Sequence, residues 1–206
     1  MAYTSDVRFR VHHSLRIKGF STIDGVSELA GHPADQCETH LHAFAADGLA
    51  LFREARKLWQ LTPAGKEAHR PALEADTMRE GFREGIAAAY PSFLKLNEDF
   101  KQLCTNWQVR EGDPNDHTDP DYDAAVSTSL AALHVQALPV VSHFGSVAER
   151  FADYSSRLDK SLGRFRGGQT NQFTGVLCGS YHDVWMELHE DLLLTQAISR
   201  TDEGSY

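Results

Sequence analysis

In the first third of the chain, apolar residues recur every three or four positions, which is the spacing of one helical face. The positions are Val11, Leu15, Ile17, Ile23, Val26, Leu29, Ala30, Cys37, Leu41 and Phe44. They predict a helix over residues 11–18 and a second helix that has Ser21 as its N-cap and stops at Gly31. A third helix is expected to start at Pro33, which suits a first helical position, and to end at residues 47–48.

Two short runs of strand-like composition follow, at residues 49–52 and 57–61, and a polar tetrapeptide joins them. Thr62 and Pro63 then supply an N-cap and a first helical position for a further helix. Two short helices joined by a glycine turn form a helix-turn-helix, and the hairpin behind them makes the arrangement winged. The pattern therefore predicts a winged helix-turn-helix domain, with a small two-stranded wing, over residues 1–75.

Helical patterns continue through the rest of the chain. A polar linker helix is expected over residues 76–90, stopping before a proline. Apolar spacing then predicts amphipathic helices over residues 92–108, 121–138, 140–166 and 176–198. Helices of this length favour an antiparallel bundle. We expect a mainly α-helical protein in which a helical effector or dimerisation domain over residues 91–200 follows the winged helix, with a disordered tail over residues 201–206.

Charge is distributed unevenly over an otherwise ordinary globular composition. Residues 1–75 hold nine basic and nine acidic residues, together with six of the eleven histidines. Residues 76–206 hold eleven basic and twenty acidic residues and so carry the whole net charge of −9. Because an acidic surface repels phosphates, any contact with nucleic acid is expected from the first 75 residues.

The chain has the features of a cytoplasmic protein. Three scattered cysteines, Cys37, Cys104 and Cys178, form no CxxC pair and indicate free thiols in a reducing compartment. The first residues lack the apolar core of a secretory signal. The most apolar stretch, residues 130–144, is interrupted by histidine, glutamine and proline, so we interpret it as a buried helix rather than a membrane span.

One stretch resembles a known family. The segment GFSTIDGVSELAGHPADQCETHLHAFAADGLALFREARKLWQLTPAGKEAHR, residues 19–70, is similar to the winged-helix domain of MarR-type and related bacterial transcriptional regulators. Its most specific part is WQLTPAGKEA over residues 59–68, which in such families is the second wing strand entering the next helix. The resemblance covers about residues 10–75, a third of the chain. It implies a bacterial regulator that binds double-stranded DNA, and we expect a homodimer.

The third helix would then read DNA, since the second helix of a helix-turn-helix enters the major groove. Its outward residues include Gln36, which suits adenine, and Thr39 and His40, which can reach bases or phosphates. Backbone contacts are expected from Arg53, Arg56 and Lys57 in the wing, with Arg8, Arg10, Arg16 and Lys18 as further candidates.

The same helix also supports a different function. It contains no lysine or arginine, and Asp35 and Glu38 oppose the approach of phosphate. The positive charge is small beside the roughly 6–10 phosphate contacts of a strong binder. Winged helices also serve as protein-interaction modules. The alternative hypothesis is therefore an accessory module whose winged helix docks a protein and does not touch DNA.

The helical part carries candidates for small-molecule binding. Aromatic and imidazole side chains at helical spacing are expected to line a cavity between helices of the bundle. They are Tyr122, Tyr154, Tyr181, His182, Trp185 and His189. An effector bound there would bias the angle between two winged helices, since dimeric readers need a fixed half-site spacing.

A metal-dependent helical enzyme is the weakest hypothesis. His182 and His189 are seven residues apart, whereas helical zinc ligands normally sit three or four apart, so a third ligand such as His117 would be needed. The aspartate-rich loop at residues 113–123 lacks the glycine and glutamate of an EF-hand. No nucleophile elbow, P-loop, dinucleotide motif or HExxH is present. We expect neither enzymatic activity nor a bound cofactor.

Overall fold

A computed structural model describes residues 2–203 as a mainly helical chain with a small antiparallel sheet. The N-terminal unit, residues 7–61, combines three helices with three short strands. Its elements are α1 (Val7–Lys18), β1 (Phe20–Ser21), α2 (Ile23–Ala30), α3 (Ala34–Ala46), β2 (Ala50–Arg53) and β3 (Leu58–Leu61). Strand β3 lies between β1 and β2 and pairs antiparallel with both. The helices and the sheet enclose one apolar core that contains Val11, Leu41 and Trp59.

Local caps fix the ends of the first two helices. Helix α1 starts four residues earlier than its apolar spacing predicts, because the side chain of Asp6 accepts a hydrogen bond from the backbone N–H of Phe9. The N-cap of α2 is Thr22 and not Ser21: the Thr22 hydroxyl accepts from the N–H of Gly25 at 3.1 Å. Gly31 ends α2 in the left-handed conformation, as its position predicts.

The remaining helices follow after the hairpin. They are α4 (Pro63–Thr77), α5 (Phe82–Gln108), α6 (Pro120–Val147), α7 (Ala152–Arg166), α8 (Asn171–Thr174), α9 (Tyr181–Gln196) and α10 (Arg200–Glu203). Helices α5, α6, α7 and α9 pack in a ring, each against the next, and we call this ring the bundle. Its core holds Phe93, Phe100, Phe144 and Trp185. Two further strands, β4 (Val109–Arg110) and β5 (Asp113–Pro114), form a hairpin between α5 and α6.

Two prolines do not break the helices that contain them, contrary to the prediction. Helix α5 runs through Pro91 and α6 runs through Pro139. A proline inside a helix removes one backbone hydrogen bond and costs about 3 kcal/mol. Here both rings are exposed, while the neighbouring Phe93 and Val141 are fully buried, so packing of the opposite face maintains the helix.

The predicted helix over residues 140–166 is instead interrupted at residues 148–151. Ala148 adopts an extended backbone and a 3₁₀ turn, Glu149–Phe151, follows it. The N-terminal segment takes up the exposed backbone groups here: Tyr3 donates to the carbonyl of Val147 at 3.1 Å and accepts from the N–H of Glu149 at 2.8 Å. The interruption thus depends on a pairing with residues about 145 positions away.

The two ends of the predicted C-terminal region also differ from the expectation. The last long helix starts at Tyr181 rather than at residue 176, because residues 177–180 direct their backbone N–H groups at the carboxylate of Asp183. The tail expected to be disordered begins with the helical turn α10, and residues 204–206 lie outside the described part. The linker over residues 76–90 is divided between the end of α4 and the start of α5.

Helix α6 is long and apolar enough to cross a membrane, judged by length and composition alone. It carries a buried stripe of Val126, Leu130, Leu133, His134, Ala137, Val141 and Phe144 against its neighbours. A third of its most apolar window is buried. The core helix of a water-soluble protein passes the same test, so this property by itself assigns no membrane location.

Candidate functional site

Helix α3 buries one face and leaves a polar face in solvent. Cys37, Leu41 and Phe44 are enclosed by the N-terminal core, as their spacing predicts. Gln36 and Thr39 are exposed and His40 is half-buried. The hydroxyl of Thr39 donates to a carbonyl of its own helix at 2.9 Å. The outward face of α3 thus offers amide, hydroxyl and imidazole groups.

The tip of the β2–β3 hairpin carries the exposed positive charge of this surface. Arg53, Arg56 and Lys57 all lie in solvent. Lys57 binds Glu54 at 2.8 Å and adopts a positive φ of 55° in the turn. Within residues 2–203, neither Arg53 nor Arg56 forms an ion pair, so both guanidinium groups have free donors.

The four basic residues of α1 differ in how far solvent reaches them, and their contribution to DNA contact stays a prediction. Lys18 binds Glu187 at 2.5 Å, Arg16 binds Glu190 at 3.2 Å, Arg8 binds Asp47 at 3.2 Å, and Arg10 is buried. Two of the partners lie on α9, which runs antiparallel to α1. The acidic residues of the second half of the chain therefore neutralise basic residues of the first half.

A buried cluster of polar residues lies at the centre of the α1–α9 contact, and we call it the junction network. His13 of α1 lies 2.8 Å from His69 of α4 and 2.9 Å from Asp191 of α9. Arg150 of the 3₁₀ turn binds Asp191 at 3.3 Å and Asp76 of α4 at 2.7 Å. All five side chains are buried. The network therefore joins the N-terminal unit, α4 and the bundle.

Electrostatic interactions in the junction network favour an ionised Asp191 and a neutral His69. Burial alone would raise the pKa of Asp191, yet the charges of His13 and Arg150, and hydrogen bonds from His13 and Thr195, lower it to about 2. Burial, together with repulsion from His13 and His12, lowers the pKa of His69 to about 2. Asp191 is therefore ionised and His69 neutral across the physiological range.

The six residues expected to line a ligand cavity do not surround one common space. Tyr154, Tyr181 and Trp185 are fully buried side chains of the bundle core. The polar groups of all four aromatic side chains have partners within the protein. The Trp185 indole donates to Asn97, the Tyr181 hydroxyl pairs with His134, the Tyr154 hydroxyl donates to Asp191, and the Tyr122 hydroxyl donates to the Asn106 carbonyl. These four residues therefore contribute to packing within the protein and do not line a shared cavity. His182 and His189 border a recess of about 310 Å³ between α5 and α9.

A larger cleft separates the N-terminal unit from α9. Its volume, about 550 Å³, lies within the range of small-molecule sites. Phe20 and Leu177 expose 47% and 82% of their surface beside it, which is unusual for large apolar side chains. The wall also includes Lys18, Ser21, Thr22, Glu28, Arg164, Cys178, His182, Met186, Glu187 and Glu190. Sequence reasoning missed this cleft because its two walls are about 150 residues apart.

The weak metal candidates are not brought together. His117 lies beside Asp123 at 2.9 Å and against the Trp107 ring, in the loop before α6, whereas His182 and His189 lie on α9. In the part of the chain that the structure describes, no group of three or more His, Cys, Asp or Glu side chains has a geometry suited to a metal. The aspartates of the loop cap turns, as Asp119 does at the start of α6.

The cysteines are separate thiols. Cys37 is buried in the N-terminal core, and burial raises its pKa. Burial also raises the pKa of Cys104 to about 12, which keeps that thiol protonated.

The junction network is the main feature that the sequence did not predict. The histidine-rich first third and the pair at residues 12–13 are visible in the sequence. The partners of His13, however, lie 56 and 178 positions away, so no local motif marks them.

Comparison with known proteins identifies no relative of this chain. No protein-family model, curated protein or solved structure matches it at a significant level. The function is therefore argued from geometry and residue chemistry.

Proposed function

We propose that this protein is a winged-helix transcriptional regulator of the cytoplasm that binds double-stranded DNA through α3 and the β2–β3 hairpin. One observation carries the proposal. The order α1–β1–α2–α3–β2–β3, with β3 between its two partners, is the element order of a winged helix, and it leaves the polar face of α3 and the hairpin tip in solvent. This arrangement supports the resemblance to MarR-type domains that the sequence suggests.

In this proposal the N-terminal half of α3 enters the major groove. Gln36 pairs with adenine, while Thr39 and His40 reach neighbouring bases or phosphates. Arg53 and Arg56 bind phosphates on the flank. A homodimer would place two such units on half-sites about 34 Å apart, and the bundle would hold them at that distance.

The size of the basic surface sets the strength of binding. The hairpin supplies three exposed cations, so about three phosphates are neutralised per protomer once phosphate displaces Glu54 from Lys57. The slope of log K against log salt concentration is then about −3 per protomer, because each neutralised phosphate contributes about −0.9. We therefore expect modest affinity that depends on dimerisation.

Fluorescence anisotropy with labelled duplexes from the region upstream of the protein's own coding sequence tests the proposal. Titrations at several salt concentrations should give binding that weakens with salt along the expected slope. The Arg56→Ala variant should reduce the slope by about one per protomer. The matched control is Lys160→Ala, an exposed cation of α7, which should leave the slope unchanged.

A protein-docking module is the second candidate function, and two observations favour it. Asp35 and Glu38 are exposed on α3, and the basic residues of α1 are already paired or buried. This function predicts no salt-dependent binding to any duplex, even at low salt. The same titration therefore separates the two functions.

The cleft beside α9 gives the proposed regulator a place for an effector. It lies between the N-terminal unit and the bundle, so a molecule bound there would contact both and bias their relative angle. This part of the proposal rests on the volume and the exposed apolar side chains of the cleft.

A further inference from the structure

The junction network has no role in the proposed reading of DNA, yet it joins three parts of the molecule through two histidine rings. The rings of His13 and His69 stack with centroids 5.1 Å apart, and Nδ1 of His13 lies 2.8 Å from Nε2 of His69. The other nitrogen of His13, Nε2, lies 2.9 Å from Oδ1 of Asp191. A continuous hydrogen-bonded chain therefore runs from α4 through α1 to α9.

The bond between the two rings has space for one hydrogen. When Nδ1 of His13 donates, Nε2 of His69 must be a bare acceptor, and the reverse holds when His69 donates. If both rings were imidazolium, each would carry a hydrogen on the nitrogen that faces the other ring. Two hydrogens do not fit between nitrogens 2.8 Å apart. The folded pair therefore holds at most one positive charge.

The surroundings also oppose a second charge. Groups from five elements surround the pair, its carboxylate or Arg150: Arg10, His12 and Arg16 of α1, Asp76 of α4, Arg150 of the 3₁₀ turn, Tyr154 of α7, and Asp191 and Thr195 of α9. Arg16 opposes a charge on His69, and Arg150 binds the same Asp191 oxygen as His13. A second charge on the pair would therefore be buried beside positive groups. His12 donates through Nε2 to the carbonyl of Gly65.

We propose that the His13–His69 pair makes the junction a pH-sensitive switch: taking up a second proton separates the two rings and loosens the contact between the N-terminal unit and the bundle. Below the ordinary pKa of histidine, about 6.5, a separated His69 binds a proton that the joined ring excludes. Acid therefore favours the open junction. This inference is independent of whether the protein binds DNA.

The size of the effect follows from linkage. A single histidine that is neutral when joined and has its ordinary pKa when separated raises the opening equilibrium constant about tenfold between pH 7.5 and pH 5.5. Burial also lowers the pKa of His12, which lies in the same region, so the total change in the wild type exceeds this value. The contribution of His69 is isolated by a variant that cannot titrate.

Amide hydrogen exchange of the full chain, corrected for the intrinsic pH dependence, measures the opening. In the wild type, protection of α1, α4 and the centre of α9 should fall at least tenfold from pH 7.5 to pH 5.5, relative to the centres of α5 and α6. The amide of the His69→Gln variant offers Nδ1 of His13 either an N–H or an oxygen and binds no proton, so its decrease should be about tenfold smaller. His134→Gln, at a buried histidine that contacts Tyr181 and Asp159, should respond like the wild type.

Two results would overturn the proposal. One is junction protection in the wild type that does not change with pH relative to the bundle core. The other is a His69→Gln variant, shown to be folded by circular dichroism, that opens with the wild-type pH dependence. If the variant does not fold, ¹⁵N shifts of the imidazole nitrogens in the wild type decide: two imidazolium rings at pH 5.5 with full junction protection contradict the switch, and loss of protection together with the second protonation supports it.

Discussion

The basic residues of the hairpin and those of α1 belong to the same 75-residue stretch, yet they have different environments. Arg53 and Arg56 at the hairpin tip are exposed and form no ion pair with any described residue. Arg16 and Lys18 of α1 are held by Glu190 and Glu187 of α9. The difference arises because the C-terminal part of α1 packs against the acidic helix α9, whereas the hairpin tip stays in solvent. The net charge of residues 1–75 is zero, yet the basic residues at the hairpin tip are exposed while Arg16 and Lys18 of α1 are paired with acidic residues.

Mutation of the buried junction network is expected to cause the largest loss in the free energy of unfolding. Replacing Asp191 by Asn removes the carboxylate that His13 and Arg150 share and leaves the buried Arg150 charge incompletely paired. Loss of one partner of a buried pair destabilises a protein by about 3–5 kcal/mol. Urea unfolding at pH 7, monitored by circular dichroism, measures the change in the free energy of unfolding.

The matched control for that variant is Asp159→Asn. Asp159 also accepts a hydrogen bond from a buried histidine, His134, but it is mostly exposed. Its loss should cost no more than about 1 kcal/mol. Equal effects of the two substitutions would show that the junction network contributes nothing beyond an ordinary surface contact.

The pH dependence of global stability is the next largest expected effect. The folded-state pKa of His69, about 2, is far below its ordinary value, so folding favours the neutral ring. The resulting stability is complete above pH 6.5 and declines as the pH falls towards 2. At pH 5 the loss from His69 should be about 2 kcal/mol, at about 1.4 kcal/mol for each pH unit below 6.5. Asp191, whose pKa is also lowered, adds a further loss below pH 4.

Urea titrations at pH 7 and pH 5 measure this decline for the wild type and for His69→Gln. The variant should lose about 2 kcal/mol less than the wild type over this interval. A wild type that is equally stable at both pH values would mean that His69 keeps its ordinary pKa in the folded protein.

The comparison also shows which parts of the molecule the sequence specifies locally. The mainly helical character and the small antiparallel sheet were predictable, because apolar spacing, Gly31 and the Thr62–Pro63 pair are local features. The interruption of the long helix at Ala148 was not predictable, since its cause is pairing with Tyr3. A local proline rule likewise predicted breaks at Pro91 and Pro139 that tertiary packing overrides.

The candidate sites follow the same division. The buried face of α3, formed by Cys37, Leu41 and Phe44, follows the helical spacing of apolar residues in the sequence. The junction network and the cleft depend on contacts between residues more than 50 positions apart, so they required the fold. Residue type was also insufficient by itself: Trp185 and Tyr181 have the chemistry of a ligand site and are used as core.

A smaller effect is expected on DNA binding when a basic residue of the hairpin or of α1 is replaced. Arg53→Gln should reduce the slope of log K against log salt by about one per protomer, because a free hairpin cation is lost. Arg16→Gln should leave the slope unchanged, since Glu190 holds that guanidinium at 3.2 Å. Anisotropy titrations of both variants, in parallel with the wild type, measure the difference. Equal reductions by both variants would contradict the assignment of α1 to the junction.

The smallest expected effect is that of Arg16→Gln on stability. The Arg16–Glu190 pair is partly exposed, with 29% and 21% of the two side chains accessible. Solvent screens such a pair, so its removal should lower the free energy of unfolding by less than about 1 kcal/mol, and the decrease should diminish at high salt. Urea unfolding at low and high salt measures both quantities. A loss as large as that of Asp191→Asn would mean that the rim of the α1–α9 contact, and not its buried centre, holds the N-terminal unit on the bundle.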